Sequence, residues 1–429
     1  MRSTVSRRRG RASAVVSALG ALLLLGGVVA PAAQADTMRD RQWYLDRMQA
    51  PEMWKASTGK GITVALLDTG VIPTVPELTG KVLRGRNFME PERGAHKDRN
   101  GHGTAMAMLI TGNGVNGQGV KGLAPGARIL PLTVFGSSKE SGTNSIPALV
   151  EAIRYAADSD AQIISMSLAF GAYMVDEQER ESIQQAVDYA IGRGKLLLAG
   201  TGNTGEVGND VGYPAATLGV VGVGATDKTG TVTKFSVSGP QVVLAAPGID
   251  IPIRCVDGET GYCSSWGTSQ ATAIASASAA LVWSLHPDWT GNQVLRVLMN
   301  TAGRPDKAVL PSRYLGYGTV RPRVAVLGDP GAPGPADVNP LVAAHEAASP
   351  SPSAPSPSAR ASKQPAPAAT QVATDEAGRG DGSPTGWIVT GAATAAVVAA
   401  GAVFLVRRRN KAQRSPAVTA YNVHHPHEP

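Results

Sequence analysis

Three polar side chains stand where acyl-transfer chemistry would need them. Asp68 ends the apolar run ITVALLD and is followed by Thr69 and Gly70. His102 lies in NGHGTAMAMLI, where glycines give way to an apolar helical pattern, and Ser269 lies in GTSQATA, at a similar passage from turn to helix. A serine hydroxyl becomes a nucleophile when a base is within hydrogen-bond reach and an acid holds that base in the right tautomer. A helix N-terminus beside the serine adds N–H groups for a developing oxyanion. Each motif alone has a plain structural reading. An aspartate closing a strand is often a turn residue, and G-T-S before a helix is often an N-cap. D-T-G also occurs in aspartic proteases, which need two copies; this chain has one. Among the other serines of SWGTSQATAIASASAA, Ser264 and Ser265 precede the turn, while Ser276 and Ser278 fall where small residues serve helix packing. His96, in GAHKDRN, lacks the glycine setting of His102 and reads as a surface residue.

A frame must hold these groups together. ITVALLD, ARILPLTV, AQIISMSL, KLLLAG and GVVGVGAT are short apolar runs suited to buried strands. SIPALVEAIRYAADS and EQERESIQQAVDYAIGRG space their apolar residues three or four apart, as amphipathic helices do. The first precedes IISMSL and the second precedes KLLLAG. This alternation predicts an α/β domain with a mainly parallel sheet and helices on both faces. In such sheets functional groups collect at the carboxyl ends of the strands.

DTGV, NGHGTAMA and GTSQATA, in that order, resemble the three active-site motifs of the subtilisin-like serine proteases. The resemblance extends over GLAPGARILPLTV (122–134), ISMSLAFG (164–171), LAGTGNTG (198–205) and FSVSGPQVVLAAPGIDI (235–251), nearly the whole block from 36 to 328. It implies a serine endopeptidase with Asp68, His102 and Ser269 as its triad and Asn203 as side-chain oxyanion donor. Ser167, Leu168 and Ala169 would form the edge strand that pairs with substrate backbone. No cofactor or metal is implied. Gln270, Ala273 and Ala169 depart from residues common in the family, and none of them is a reacting group.

The ends of the chain suggest where such an enzyme would work. Residues 1–35 combine a basic start, an apolar run and a small-residue A-Q-A before Asp36, the build of a secretory signal peptide. The segment 36–60 carries Trp43, Tyr44, Leu45 and Met48 and reads as an arm on the domain at 61–328. Residues 329–386, rich in Pro, Ala and Ser, read as a disordered, solvated stalk with an r.m.s. span of about 40 Å. The run from Trp387 to Val406 has the ~30 Å helical length of a membrane core. Residues 407–429, opening on RRRNK, would stay in the cytoplasm, leaving the domain outside. This layout resembles the mycosins, membrane-anchored subtilisin-like proteases associated with type VII secretion. That implies protein or peptide substrates and a secretion membrane complex as partner. The alternative is a mainly structural scaffold of that complex, with proteolysis secondary.

Charge and cysteine use fit export. Five arginines in 1–35 and a net of four positive charges in the tail exceed the overall +7, leaving −2 over residues 36–406. No basic footprint for nucleic acid remains there. Cys255 and Cys263, the only cysteines, read as an extracellular disulfide; a zinc site would need further ligands nearby.

Overall fold

The computed structural model describes residues 37–135, 145–256 and 261–349. Its strands are β1 (Thr63–Asp68), β2 (Arg86–Asn87), β3 (Arg128–Thr133), β4 (Ile163–Met166), β5 (Phe170–Gly171), β6 (Leu196–Gly200), β7 (Gly212–Tyr213), β8 (Val221–Thr226), β9 (Val242–Pro247), β10 (Ile251–Arg254) and β11 (Tyr262–Ser265). Seven of them form one sheet in the order β2-β3-β1-β4-β6-β8-β9, with every pairing parallel. Two short antiparallel pairs, β5 with β7 and β10 with β11, stand apart from it.

The near-continuous apolar runs of the central strands follow from burial on both faces. Side chains alternate along a strand, and β1 shows the result. Val64 and Leu66 enter one core with the helices His102–Thr111 and Thr268–Trp283. Ala65 and Leu67 enter a second core with the helices Ser145–Asp158 and Glu177–Gly192. All of Thr268–Trp283 is buried except Ser269. A helix apolar all round suits the middle of a domain, and its small side chains permit close approach. Ser276 Oγ donates to Ser165 Oγ at 2.9 Å and Ser278 Oγ to the Ile274 carbonyl at 2.8 Å.

The segment before β1 folds as three short helices, Met38–Arg41, Trp43–Arg47 and Ala50–Ala56. Tyr44, Leu45 and Met53 are fully buried in the first core, each worth roughly 1.5–3 kcal/mol of transfer free energy. Polar tips lock the arm down. Gln42 bridges both the N–H and the carbonyl of Lys121, Trp43 Nε1 donates to Asp250 O at 3.0 Å, and Trp54 Nε1 to Leu123 O at 2.8 Å.

The other end of the domain corrects the sequence reading. Residues 329–344, expected to be extended and solvated, pack back on the domain, and a helix begins there at Pro340 and runs to Ala348. Arg296 donates to the carbonyls of Pro333 (2.6 Å) and Val338 (2.8 Å), and Thr290 and Asn292 both donate to Ala336 O. Composition signals too few apolar groups for a core; it does not reveal that distant donors can collect the carbonyls of a proline-rich strap. Among the described residues no helix is long and apolar enough to cross a membrane. The expected signal peptide, the stalk from residue 350, the span 387–406 and the tail lie outside the described residues.

Candidate active site

Asp68 arrives at the carboxyl end of β1, and His102 is the first residue of the helix His102–Thr111. Both are 2% exposed, and His102 Nδ1 lies 2.6 Å from Asp68 Oδ1. The same Oδ1 accepts the Thr69 N–H at 2.8 Å, which fixes the carboxylate plane. Helix and strand can approach this closely because residue 103 is glycine. A Cβ there would fall 2.2 Å from Gly70 O and 3.1 Å from Asp68 Cβ.

A second carboxylate holds this corner and was missed in the sequence. Asp98 is 8% exposed; its Oδ1 accepts the Gly101 N–H and the Thr69 hydroxyl, and its Oδ2 accepts the N–H and hydroxyl of Thr104. Thr69 Oγ1 in turn accepts the Gly103 N–H at 3.0 Å. Asp98 thus caps the histidine helix from outside and ties it to the D-T-G turn. An acidic residue just before a helical run is the usual N-terminal signal, and Asp98 sits four places before His102. His96 is exposed, with its ring on the Leu83 carbonyl.

Ser269 stands in the first turn of its helix. Its Oγ donates to Ser167 O at 3.1 Å, and Ser167 Oγ donates to Ser269 O at the same distance. The candidate nucleophile is thereby laced to the segment Ser167–Ala169. That segment continues β4 beyond its last ladder residue, Met166, with no strand partner among the described residues. Leu168 is buried and Ala169 exposed.

Asn203 follows β6. Its Oδ1 accepts the Thr268 N–H at 2.9 Å and the Thr268 hydroxyl at 3.1 Å. A backbone N–H only donates, so the amide oxygen must face Thr268 and Nδ2 is turned away as a donor. Gly267 closes this corner at φ 147°, where a Cβ would lie 2.8 Å from Gln270 Oε1 and 3.2 Å from Asn203 Nδ2. Gln270 points inward, 1% exposed, with Nε2 on Ser265 Oγ at 2.9 Å. Its polar side chain is therefore a brace for the hairpin.

That hairpin, β10–β11, leads directly into the serine helix and is closed by a Cys255–Cys263 disulfide. It also abuts the histidine loop: a Cβ on Gly101 would lie 3.4 Å from Val256 Cα. Tyr262 donates to the buried Glu77 carboxylate. Burial and that bond push its phenol up to about 12, so it stays a donor at neutral pH. No group of three or more His, Cys, Asp or Glu side chains suited to a metal occurs among the described residues.

The parallel sheet with helices on both faces defines an α/β fold, and similarity to known proteases makes the chain a subtilisin-like serine endopeptidase. The chain belongs to the subtilase family, whose Peptidase S8 model matches residues 59–318. It is 34% identical to Subtilisin Savinase of Lederbergia lenta over 261 residues, 61% of this chain and 90% of that protein. Among solved structures, it is similar to the crystal structure of MycP1 from Mycobacterium smegmatis: TM-score 0.60, 28% identity, 72% of this chain and 89% of that one. It is likewise similar to a MycP1 described as a serine protease and an essential component of the type VII (ESX-1) secretion system. There the TM-score is 0.60 and the identity 30%, covering 68% of this chain and 90% of that one.

Proposed function

We propose that Ser269, His102 and Asp68 form the catalytic triad of a membrane-anchored extracellular endopeptidase that processes proteins exported by a type VII secretion system. The observation that carries the reading is the buried 2.6 Å contact between His102 Nδ1 and Asp68 Oδ1. It keeps the ring proton on Nδ1 and leaves Nε2 as the basic nitrogen that a general base needs. In the proposed reaction the Ser269 hydroxyl turns from Ser167 O toward that nitrogen. His102 takes the proton as Ser269 attacks the scissile carbonyl, and Asp68 stabilises the imidazolium. Asn203 Nδ2 and the Ser269 N–H receive the oxyanion. His102 then protonates the leaving amine, and water releases the acyl group by the reverse sequence.

Substrate backbone would lie along Ser167–Ala169, adding a strand where the ladder of β4 stops. Similarity to type VII proteases supports the choice of substrate, and the signal-peptide, stalk and span pattern supports the location. The test is fluorophosphonate labelling of the full chain in membranes beside its Ser269→Ala variant. Labelling of the wild type alone is expected. Equal labelling of both, or of neither, refutes the triad. Secreted proteins from cells carrying either form, compared by mass spectrometry, then give the substrate. An unchanged set of protein termini refutes the processing role.

A further inference from the structure

Two segments frame the place where a scissile carbonyl would be attacked. β4 and β6 are neighbours in the sheet, and their ladder ends at Met166 and Ala199. Beyond it the chain runs on as residues 167–169 and 200–203, and both segments reach the first turn of the serine helix. Ser167 exchanges hydrogen bonds with Ser269, while the Gly202 N–H donates to Thr268 Oγ1 at 3.2 Å and Asn203 Oδ1 accepts from Thr268. A crevice beyond the carboxyl ends of parallel strands is the usual place for a ligand. Here it would hold the substrate residue that owns the attacked carbonyl, with Ser269 and Ser167 at one wall and Asn203 at the other.

One methyl group limits the width of this crevice. Ala169 is exposed, and its Cβ stands against two glycines of the facing walls. A Cβ on Gly202 would lie 3.7 Å from Ala169 Cβ. One on Gly212, the ladder partner of Gly171, would lie 3.0 Å from Ala169 Cβ and 2.9 Å from Thr201 O. A single carbon–carbon bond of about 1.5 Å separates such a position from its α-carbon, so Ala169 Cβ is at most about 5 Å from Gly202 Cα. An alkyl chain threaded between two carbons needs about 3.5–4.0 Å of contact on each side, roughly 7–8 Å in all. No such chain passes between Ala169 and Gly202. The wall is also backed by packed core: Val237, 1% exposed, brings its Cγ2 within 3.2 Å of the same Cβ position on Gly202.

We infer that the Ala169 methyl restricts the residue immediately before the scissile bond to glycine, alanine or serine, so that substrates are segments cut after a small side chain. The inference rests on the reading of Ser269 as nucleophile and narrows its substrate class. The backbone of such a residue still pairs with residues 167–169, and its side chain ends where the Ala169 methyl begins. Leucine or phenylalanine would have to force apart two segments that the β4–β6 ladder and the serine helix hold together. A misfit of one methylene already changes kcat/KM by roughly 10–200-fold.

The experiment uses the full chain in detergent and peptidyl coumarylamides that differ only in the residue joined to the coumarin, which fixes the cut. With Gly, Ala, Ser, Leu or Phe at that place, Ala should exceed Leu and Phe at least about tenfold in kcat/KM. Ala169→Gly removes the methyl and should raise the Leu-to-Ala ratio at least about tenfold, whereas Ala169→Val should leave Gly as the best residue. Should Ala169→Val lose its melting transition, Ala169→Gly decides alone. Binding of tagged peptides ending in Ala or Leu to Ser269→Ala, by fluorescence anisotropy, reads the crevice without turnover. A wild type that labels with fluorophosphonate but cleaves after Leu or Phe as readily as after Ala overturns the size limit and leaves the triad standing. A limit that persists unchanged in Ala169→Gly overturns the role of Ala169. Suppose the chain fails to label, yet its Ser269→Ala form prefers the Ala-ended peptide and loses that preference when Ala169→Gly is added. The crevice then stands and the nucleophile falls; no labelling and no preference overturns both.

Discussion

In the proposed mechanism Asn203 uses the two ends of one amide for different tasks, and substitution can separate them. The first N–H groups of a helix have no acceptor within it, and Gly267 offers no side chain to cap Thr268–Trp283. Asn203 Oδ1 supplies that cap from a distance, at 2.9 Å from the Thr268 nitrogen. Nδ2 is the group available to an oxyanion. Asn203→Asp keeps an oxygen toward Thr268 and replaces the donor by a second carboxylate oxygen. Its stability should stay within about 1 kcal/mol of wild type, since a negative charge at a helix N-terminus is favourable by ~0.3–1 kcal/mol. Its kcat should fall by at least ~10³, because loss of the donor alone is worth about 2.7–4 kcal/mol and the new charge repels the oxyanion. Asn203→Ala removes both functions: about 1 kcal/mol of stability goes with the cap, and kcat falls ~10²–10³. Urea midpoints at constant slope give the first quantity, and peptide turnover gives the second. The reasoning is refuted if Asn203→Asp unfolds as early as Asn203→Ala, or if it retains kcat within about tenfold of wild type.

Three further outcomes follow from other parts of the molecule. Leu45→Ala, in the fully buried part of the arm, should cost about 2–5 kcal/mol in urea unfolding; a cost below ~1 kcal/mol would mean the arm is dispensable. Asp98→Ala leaves the hydroxyls of Thr69 and Thr104 and the N–H groups of Gly101 and Thr104 without their acceptor. At ~1–3 kcal/mol per unsatisfied buried group, it should lower both the melting temperature and kcat, whereas Lys60→Ala on the surface should change neither. His286, stacked on Trp289, has its pKa lowered from 6.5 by burial. The unfolded chain therefore takes up this proton first as pH falls. Stability is complete above the ordinary value and declines as pH drops through it toward the folded one. His286→Gln should flatten the melting temperature over that range, and an unchanged slope would assign the acid sensitivity to other groups.

The central strands were legible because burial on both faces leaves almost no polar residue in them. KLLLAG became Leu196–Gly200 and GVVGVGAT became Val221–Thr226. AQIISMSL reads as one run, yet the ladder stops at Met166, since pairing depends on neighbours that no single segment encodes. His102 stood out through its flanking glycines, and the clash a Cβ at 103 would make with Gly70 O explains one of them. Asp98 did not stand out, because a charged residue in AHKDRN looks solvated until four donors converge on it. The inward turn of Gln270 was equally hidden, since its partner Ser265 comes from the hairpin. The strap after residue 328 was misread for the same reason, its acceptors being satisfied by Thr290, Asn292 and Arg296.

That strap decides where the domain bears mechanical load. The chain leaves the folded body along the helix Gly291–Thr301, held by Arg296, Thr290 and Asn292 on the carbonyls of Pro333, Ala336 and Val338. A pull on the chain after residue 338 meets these bonds first. It passes next into a helix whose Val294, Leu295 and Leu298 are embedded in the core. Tension therefore enters the protein through its packed interior, by a helix seated against the amino end of β6. Load applied there is shared among a row of hydrogen bonds and buried apolar side chains before it can reach the turns that carry Asp68 and Asn203.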